Sequence, residues 1–409
     1  MRPWISSLAV VVSLALAAPS LAAPPPVTIA AAPDAALAAR LDKVVDTAIA
    51  QHRLVGAVVL VARDGKVVYR RAAGLADREA GRPMREDAIF RFSSVSKPFV
   101  TAAVMKLVED GKLRLGDPVT KWLPDFRPKL ADGTQPVITV RQLLTHTSGL
   151  TYGLAEKPSH PYHQLGVSDG IDQSGITLDE NLRRLGQAPL AFPPGSAWRY
   201  SLAIDVLGSV LEKAASKPLP QVVAETVTGP LGLADAGFVA RDPARLTAAY
   251  LNALPAPQRI TDNQDVSLGT TAVRFAPSRA TDPTAFPSGG AGMVGTAGDV
   301  LTLLETVRQG GAPILKAATV AEMMKDQVGA QAATQGPGWG FGYGWAVLDD
   351  PTIAKTPQKA GTIAWGGVYG HNWFVDPKSG LTVVIMTNTA FEGMNGPFTT
   401  QVRDAVYGR

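Results

Sequence analysis

Ser94 and Lys97 stand three residues apart at the start of an apolar-periodic segment. On a helix that spacing puts both on one face, so the lysine can reach the serine hydroxyl. A neutral lysine can take the serine proton, and the positive end of the helix favours a developing anion. By itself Ser-x-x-Lys is a weak signal, since a chain this long holds about one by chance. A serine at a helix start also suits a plain N-cap. The setting selects it: extended Phe90-Arg91-Phe92 leads in, and Val100, Val104, Leu107 and Val108 follow at helical spacing up to Gly111. Two other constellations compete. Gly166-Val167-Ser168-Asp169-Gly170 has the spacing of a nucleophile elbow, and His371 could complete a Ser–Asp–His order. That elbow needs a buried strand before it and a helix after it. Pro158–Gln164 and Ile171–Gly175 read as loop instead, which makes Ser168 a turn residue. His160 and His163 could be metal ligands, but Pro161 breaks the helix that would align them and no carboxylate motif accompanies them. They are expected on the surface or lining a pocket, with His52 and His146 structural. No metal or cofactor is expected.

The elements that must position these residues are legible from periodicity. Leu37, Leu41, Val44, Val45, Ala48 and Ile49 predict an amphipathic helix ending near His52. Gly56–Ala62 and Val67–Ala73, joined through Asp64-Gly65, predict a hairpin. Roughly 112–290 reads as helical pieces (Val140–Thr145, Ile204–Ala214, Leu219–Val227) between long Pro- and Gly-rich loops. Helices return at Thr296–Arg308 and Ala317–Lys325. Strands then dominate at Trp339–Val347, Thr362–Trp365, His371–Asp376 and Leu381–Thr387, before a closing helix over Thr399–Tyr407. Gly336 to Gly344 alternate with Pro337, Trp339, Phe341, Tyr343 and Trp345, so a strand there would carry its aromatics on one face and its glycines on the other. The pattern predicts an α+β fold: one antiparallel sheet built from both chain ends, flanked by helices, with a mostly helical insertion.

Several segments together resemble one family. Phe90-Arg91-Phe92-Ser93-Ser94-Val95-Ser96-Lys97 looks like the first motif of the class C β-lactamase-like, penicillin-recognising serine hydrolases. Leu143-Leu144-Thr145-His146-Thr147-Ser148-Gly149-Leu150 resembles the loop after their second helix. Pro194-Gly195 with Trp198-Arg199-Tyr200-Ser201 resembles their second motif, which implies Tyr200 as the catalytic tyrosine. Pro230-Leu231-Gly232-Leu233, Gly289-Gly290-Ala291-Gly292 and Asp376-Pro377 agree in order. The resemblance spans nearly the whole chain after its leader and implies a β-lactamase/transpeptidase-like fold over 37–409.

Two departures bear on substrate. Tyr200-Ser201-Leu202 stands where β-lactamases and peptidases of this family carry Tyr-x-Asn, and Trp365-Gly366-Gly367 where they carry Lys-Thr-Gly. Both changes resemble the family VIII carboxylesterases and related acyltransferases. The resemblance implies two-step acyl transfer: Ser94 attacks an ester, Lys97 and Tyr200 share general-base and general-acid duty, and water releases the acyl group. Backbone N–H groups of Ser94 and, by analogy along the third motif, Val368 would hold the oxyanion. Trp365, Gly366, Gly367 and Leu202 would line the substrate site, the glycines letting substrate lie against the strand. Hydrolysis of short-chain acyl esters is the expected activity. β-Lactamase, D-amino-acid peptidase or amidase, and acyltransferase activities on the same fold are the alternatives. A non-catalytic binding protein is disfavoured by the presence of Ser94, Lys97 and Tyr200 together.

Composition sets the compartment and the partners. The 409 residues carry a formal charge of +4, with no run of five like charges, so nothing favours nucleic acid and a small-molecule ester is the expected partner. Arg2, the apolar run Ile5–Ala18 and Ser20-Leu21-Ala22 have the form of a secretory signal over 1–22, and Pro-rich 23–36 reads as a linker. That run is short for a membrane span, so no anchor is expected after cleavage. Without cysteine there is neither disulfide nor lipid-modified thiol. The expected location is periplasmic or secreted.

Overall fold

The computed structural model describes residues 28–29 and 34–409; the expected leader and most of the linker lie outside these. In chain order the main elements are α1 (Ala35–Ala50), β1 (Gly56–Arg63), β2 (Lys66–Asp77), α2 (Ser96–Glu109), α3 (Ala203–Ala215), α4 (Ala297–Arg308), β3 (Trp339–Phe341), β4 (Ala346–Leu348), β5 (Ile363–Gly367), β6 (His371–Asp376), β7 (Leu381–Thr387) and α5 (Pro397–Val406). The strands form one sheet in the order β2-β1-β7-β6-β5-β4-β3, antiparallel throughout. Two short pieces extend it at β2: Thr28–Ile29 in parallel and Arg82–Pro83 antiparallel. The two chain ends therefore meet in the middle of the sheet, where Ala57–Arg63 pair with Leu381–Thr387.

Period-two alternation assigns each strand residue to one of two cores. Val58, Leu60 and Ala62 face α2 and α4, while Ala57, Val59 and Val61 face α1 and α5. Both faces are covered, so a one-residue slip would exchange two complete sets of apolar contacts, and the register is fixed. On the second face Leu37, Leu41 and Val45 of α1 are buried, each contributing roughly 1.5–3 kcal/mol. Asp34 starts that helix by accepting the Leu37 N–H at 2.9 Å. Thr296 and Asp299 form a capping box on α4.

The structure departs from expectation in two places here. The alternating aromatic segment is a hairpin rather than one strand: β3 ends at Phe341, β4 begins at Ala346, and the chain reverses between them. Gly344 has φ +94°, a conformation that a strand does not use. The rings consequently diverge, Phe341 packing edge-on to Trp365 and Trp345 to Trp373, while the Tyr343 hydroxyl meets Arg141. The region 112–290 holds helices between long loops, but it also holds β structure. Gln264–Leu268 pair with Thr271–Phe275, and Tyr250–Leu251 bridge Gln258–Arg259 to Thr389–Ala390 beyond β7. These strands are too short and too polar for their alternation to stand out.

Candidate active site

Ser94 sits in a 3₁₀ turn, Ser93–Val95, that runs directly into α2. Its hydroxyl is the meeting point of two partners. Tyr200 Oη lies 2.6 Å away and Lys97 Nζ donates from 3.2 Å. Lys97 is fully buried, and its two other donors go to Tyr152 Oη at 3.0 Å and the Gly290 carbonyl at 2.8 Å. Lys97 Nζ also lies over the rings of Tyr200 and Tyr152, 4.6 and 5.3 Å from their centroids. The lysine is thus clamped by three hydrogen bonds with one of them aimed at the serine. Such an arrangement can move a proton off the serine hydroxyl through either Lys97 or Tyr200.

The end of β5 lies against the same turn. The N–H groups of Ser94 and Val368 converge on one point, which the Ser93 hydroxyl oxygen occupies, at 2.6 and 3.1 Å. The indole N–H of Trp365 donates to Tyr200 Oη at 3.3 Å, and the two rings pack at 5.0 Å. Trp365 is 7% exposed, so it presents little surface and mainly orients the tyrosine.

Three expected substrate contacts need correction. Leu202 is fully buried in the core at the start of α3, where no substrate reaches it. Gly366 points to the opposite face of the sheet: a Cβ there would meet the His371 carbonyl at 2.7 Å and Met394 at 3.2 Å. Gly367 does face the nucleophile's turn, but a Cβ would meet the Phe92 carbonyl at 2.4 Å. Its bareness lets β5 dock on the turn that carries Ser94, rather than making room for substrate.

The insertion supplies the rest of the site through loops fastened by buried polar groups. His146 Nδ1 and Ser201 Oγ lie 3.0 Å apart, and the imidazole packs on Tyr200 at 5.0 Å. Burial first, and the Lys97 charge second, push the His146 pKa well below 6.5, so this ring is a neutral support. Tyr152 was not singled out by the sequence. It lies in an irregular loop, and only its place beside Lys97 reveals it. Burial, with Tyr200 and Asp205 adding to it, raises its pKa well above 10 and keeps it protonated. The loop that carries it is held by Asp169, which accepts the N–H groups of Gly153 and Leu154 at 2.7 and 2.6 Å. Burial nevertheless raises the Asp169 pKa to about 7. Asp205, also raised by burial, accepts from Ser288 Oγ at 2.5 Å next to the Gly290 loop.

The competing constellations are not assembled. Ser168 is buried, donates to Asp172 and accepts the Gly170 N–H within a loop that no strand enters and no helix directly follows. His371 Nε2 pairs with the Arg91 carbonyl at 2.8 Å. His160 caps the short helix Pro161–Gln164, and His163 Nε2 lies 3.3 Å from the Glu156 carbonyl.

Comparison with known proteins identifies the family. The β-lactamase family model matches residues 41–407. Esterase EstB of Burkholderia gladioli is 57% identical over 379 residues, covering 92% of this chain and 96% of that protein. The solved structure of EstCE1, described as a hydrolase with promiscuous acyltransferase activity, superposes with a TM-score of 0.90 at 53% identity, covering 92% of this chain and 99% of that one. Unliganded simvastatin synthase, LovD, from Aspergillus terreus shares the fold, with a TM-score of 0.71 at 22% identity over 92% of this chain and 99% of that one. The chain therefore belongs to the β-lactamase family of serine hydrolases, on its family VIII carboxylesterase branch.

Proposed function

We propose that this protein is an exported carboxylesterase that hydrolyses short-chain acyl esters through an acyl-enzyme on Ser94. The observation that carries the reading is the cluster of half-buried Ser94 and Tyr200 on buried Lys97, with Tyr200 Oη 2.6 Å and Lys97 Nζ 3.2 Å from one hydroxyl oxygen. Ser94 Oγ bonds to the ester carbonyl carbon as its proton passes to the Tyr200–Lys97 pair. The carbonyl oxygen takes the negative charge and is held by the N–H groups of Ser94 and Val368. Collapse breaks the bond to the alkoxide, which leaves with the proton held by the pair. Water then repeats the sequence on the acyl group, and an alcohol in its place would give a new ester. The EstCE1 description supports that second outcome. The leader-like residues 1–22 support a periplasmic or secreted location.

Substrate class follows from what surrounds the nucleophile. Trp365 stands where relatives that bind carboxylates carry a lysine, and its one polar group is engaged by Tyr200. At the position where those relatives carry an asparagine, Leu202 turns into the core, so no side-chain amide is offered from there. A β-lactam would leave its carboxylate and amide unmatched, at a cost that changes discrimination by orders of magnitude. We expect kcat/KM for p-nitrophenyl butyrate to exceed that for nitrocefin by at least about a hundredfold. Nitrocefin turnover equal to or faster than ester turnover would overturn the esterase reading.

A further inference from the structure

The two N–H groups that should receive the oxyanion already share an acceptor. Ser94 N and Val368 N, on different elements, both donate to Ser93 Oγ, at 2.6 and 3.1 Å. Ser93 is 1% exposed, so the hydroxyl is held between turn and strand rather than in solvent. Its backbone φ is +48°, in the left-handed region that side-chain-bearing residues seldom use. Forming this turn places the residue before the nucleophile with its Cβ over the converging donors. Alanine or glycine there would put no oxygen in the hole.

We propose that Ser93 Oγ is a built-in competitor for the oxyanion hole: it fills the hole in the free enzyme and must rotate away before an ester carbonyl can be activated. This rests on the reading of Ser94 as nucleophile. The physical argument is one of occupancy. A hole of two N–H donors stabilises the transition state only if both are free to aim at the developing charge. A hydroxyl attached one residue away is present at high effective concentration and competes better than bulk water for the same donors. It compensates the buried N–H groups in the resting state, which would otherwise be costly to leave unpaired. Ser93 thereby trades turnover for an ordered resting site, and it weighs on every substrate that must place an oxygen between these donors.

Ser93→Ala isolates the hydroxyl, because alanine and serine tolerate the left-handed backbone similarly. Three measurements on one preparation test the proposal. First, kcat/KM for p-nitrophenyl butyrate should rise about threefold to tenfold, the size of one competing hydrogen bond. Second, the inhibition constant of a butylboronic acid, whose tetrahedral adduct puts an oxygen in the hole, should fall by the same factor. Third, the inhibition constant of p-nitrophenyl butyl ether, which has no carbonyl, should not change; a residue that only shaped the turn would move all three together or none. Ser93→Gly, which relieves the left-handed backbone, gives the same comparison if the alanine variant folds poorly. A fall in kcat/KM with weaker boronate binding would overturn the proposal and make the hydroxyl a donor to the oxyanion. No change in any of the three would reduce it to a turn residue. Ser94→Ala in the same assay separates the two levels. If that variant still turns over ester, the site assignment fails; if it is dead while Ser93→Ala is no faster, only this inference fails.

Discussion

The two halves of the site are built in different ways. Ser94, Lys97 and Val368 ride on the start of α2 and the end of β5, where a helix and an uninterrupted ladder of strand pairs hold them. Tyr152, Tyr200 and Gly290 come from loops of the insertion, where side-chain groups such as Asp169, His146 and Asp205 take the place of a ladder. The sheet half holds position through backbone bonds that any sequence of suitable pattern would make. The insertion half depends on a few buried polar atoms, each of which is costly to leave unmatched. On the proposed reading the nucleophile belongs to the stiff half, while the proton path crosses the boundary, from Lys97 on α2 to Tyr200 in the half that single substitutions can retune.

The sharpest way to break this comparison is to exchange the serines. Ser94→Ala should lower kcat by at least about ten-thousandfold, the scale of losing a nucleophile. Ser168→Ala, in an insertion loop, should keep activity within about threefold and cost about 1 kcal/mol of stability for its lost hydrogen bonds. Steady-state ester hydrolysis and thermal melts check both. If Ser168→Ala is the inactive variant, the division of labour is wrong.

A smaller effect probes the seam between the halves. Lys97→Ala and Tyr200→Phe should each reduce kcat by about a hundredfold to ten-thousandfold. The double variant should lose far less than the product, because the two act as one unit across the boundary. Multiplicative losses would place one of them outside the proton path. Tyr152→Phe, which removes one of the three Lys97 partners, should cost about tenfold in kcat with KM little changed.

The smallest effect concerns how pH acts on the insertion half. Asp169 titrates near pH 7 when folded and near 3.8 as a free side chain. The folded state therefore binds the extra proton between those values. The stabilisation linked to it is complete below about pH 4 and is lost as pH rises through about 7. Asp169→Asn removes that titration. The melting temperature of the parent minus that of the variant should decline from pH 4 to pH 7.5, and a flat or rising difference would show that this carboxyl does not carry the linkage.

Legibility in the sequence cut across the two halves. His371–Asp376 and Leu381–Thr387 agree with β6 and β7 residue for residue, because apolar runs there end at Asp376-Pro377 and at the polar Asn388. Ser94, Lys97 and Tyr200, inferred from motif order, are brought together. Alternation of glycine and aromatics satisfies a strand period, while the left-handed Gly344 that makes the segment a hairpin leaves no trace in periodicity. Resemblance to the Tyr-x-Asn motif puts Leu202 at the site, yet the helix that begins there turns it into the core. Tyr152 has no periodic or motif signal at all. The helix Leu178–Leu185 did have one: Thr177 followed three residues later by Glu180 is a start pattern, and the Thr177 side chain does accept the Glu180 N–H.

One feature of the sheet also bears on how the chain reaches its native state. Arg63 pairs with Leu381 and Ala57 with Thr387, so the central seam joins segments from opposite ends of the sequence. The entropy of closing so long a loop must be met before either core is complete. A nascent chain emerging N-terminus first makes the β1–β2 hairpin early and then waits for nearly all the remaining sequence before β7 can seal it. Until that moment the apolar edge of β1 lies open, as a surface for chaperones and a hazard for self-association. The sheet centre therefore cannot close until Leu381–Thr387 is available, and a chain truncated before residue 381 has no partial sheet centre to fall back on.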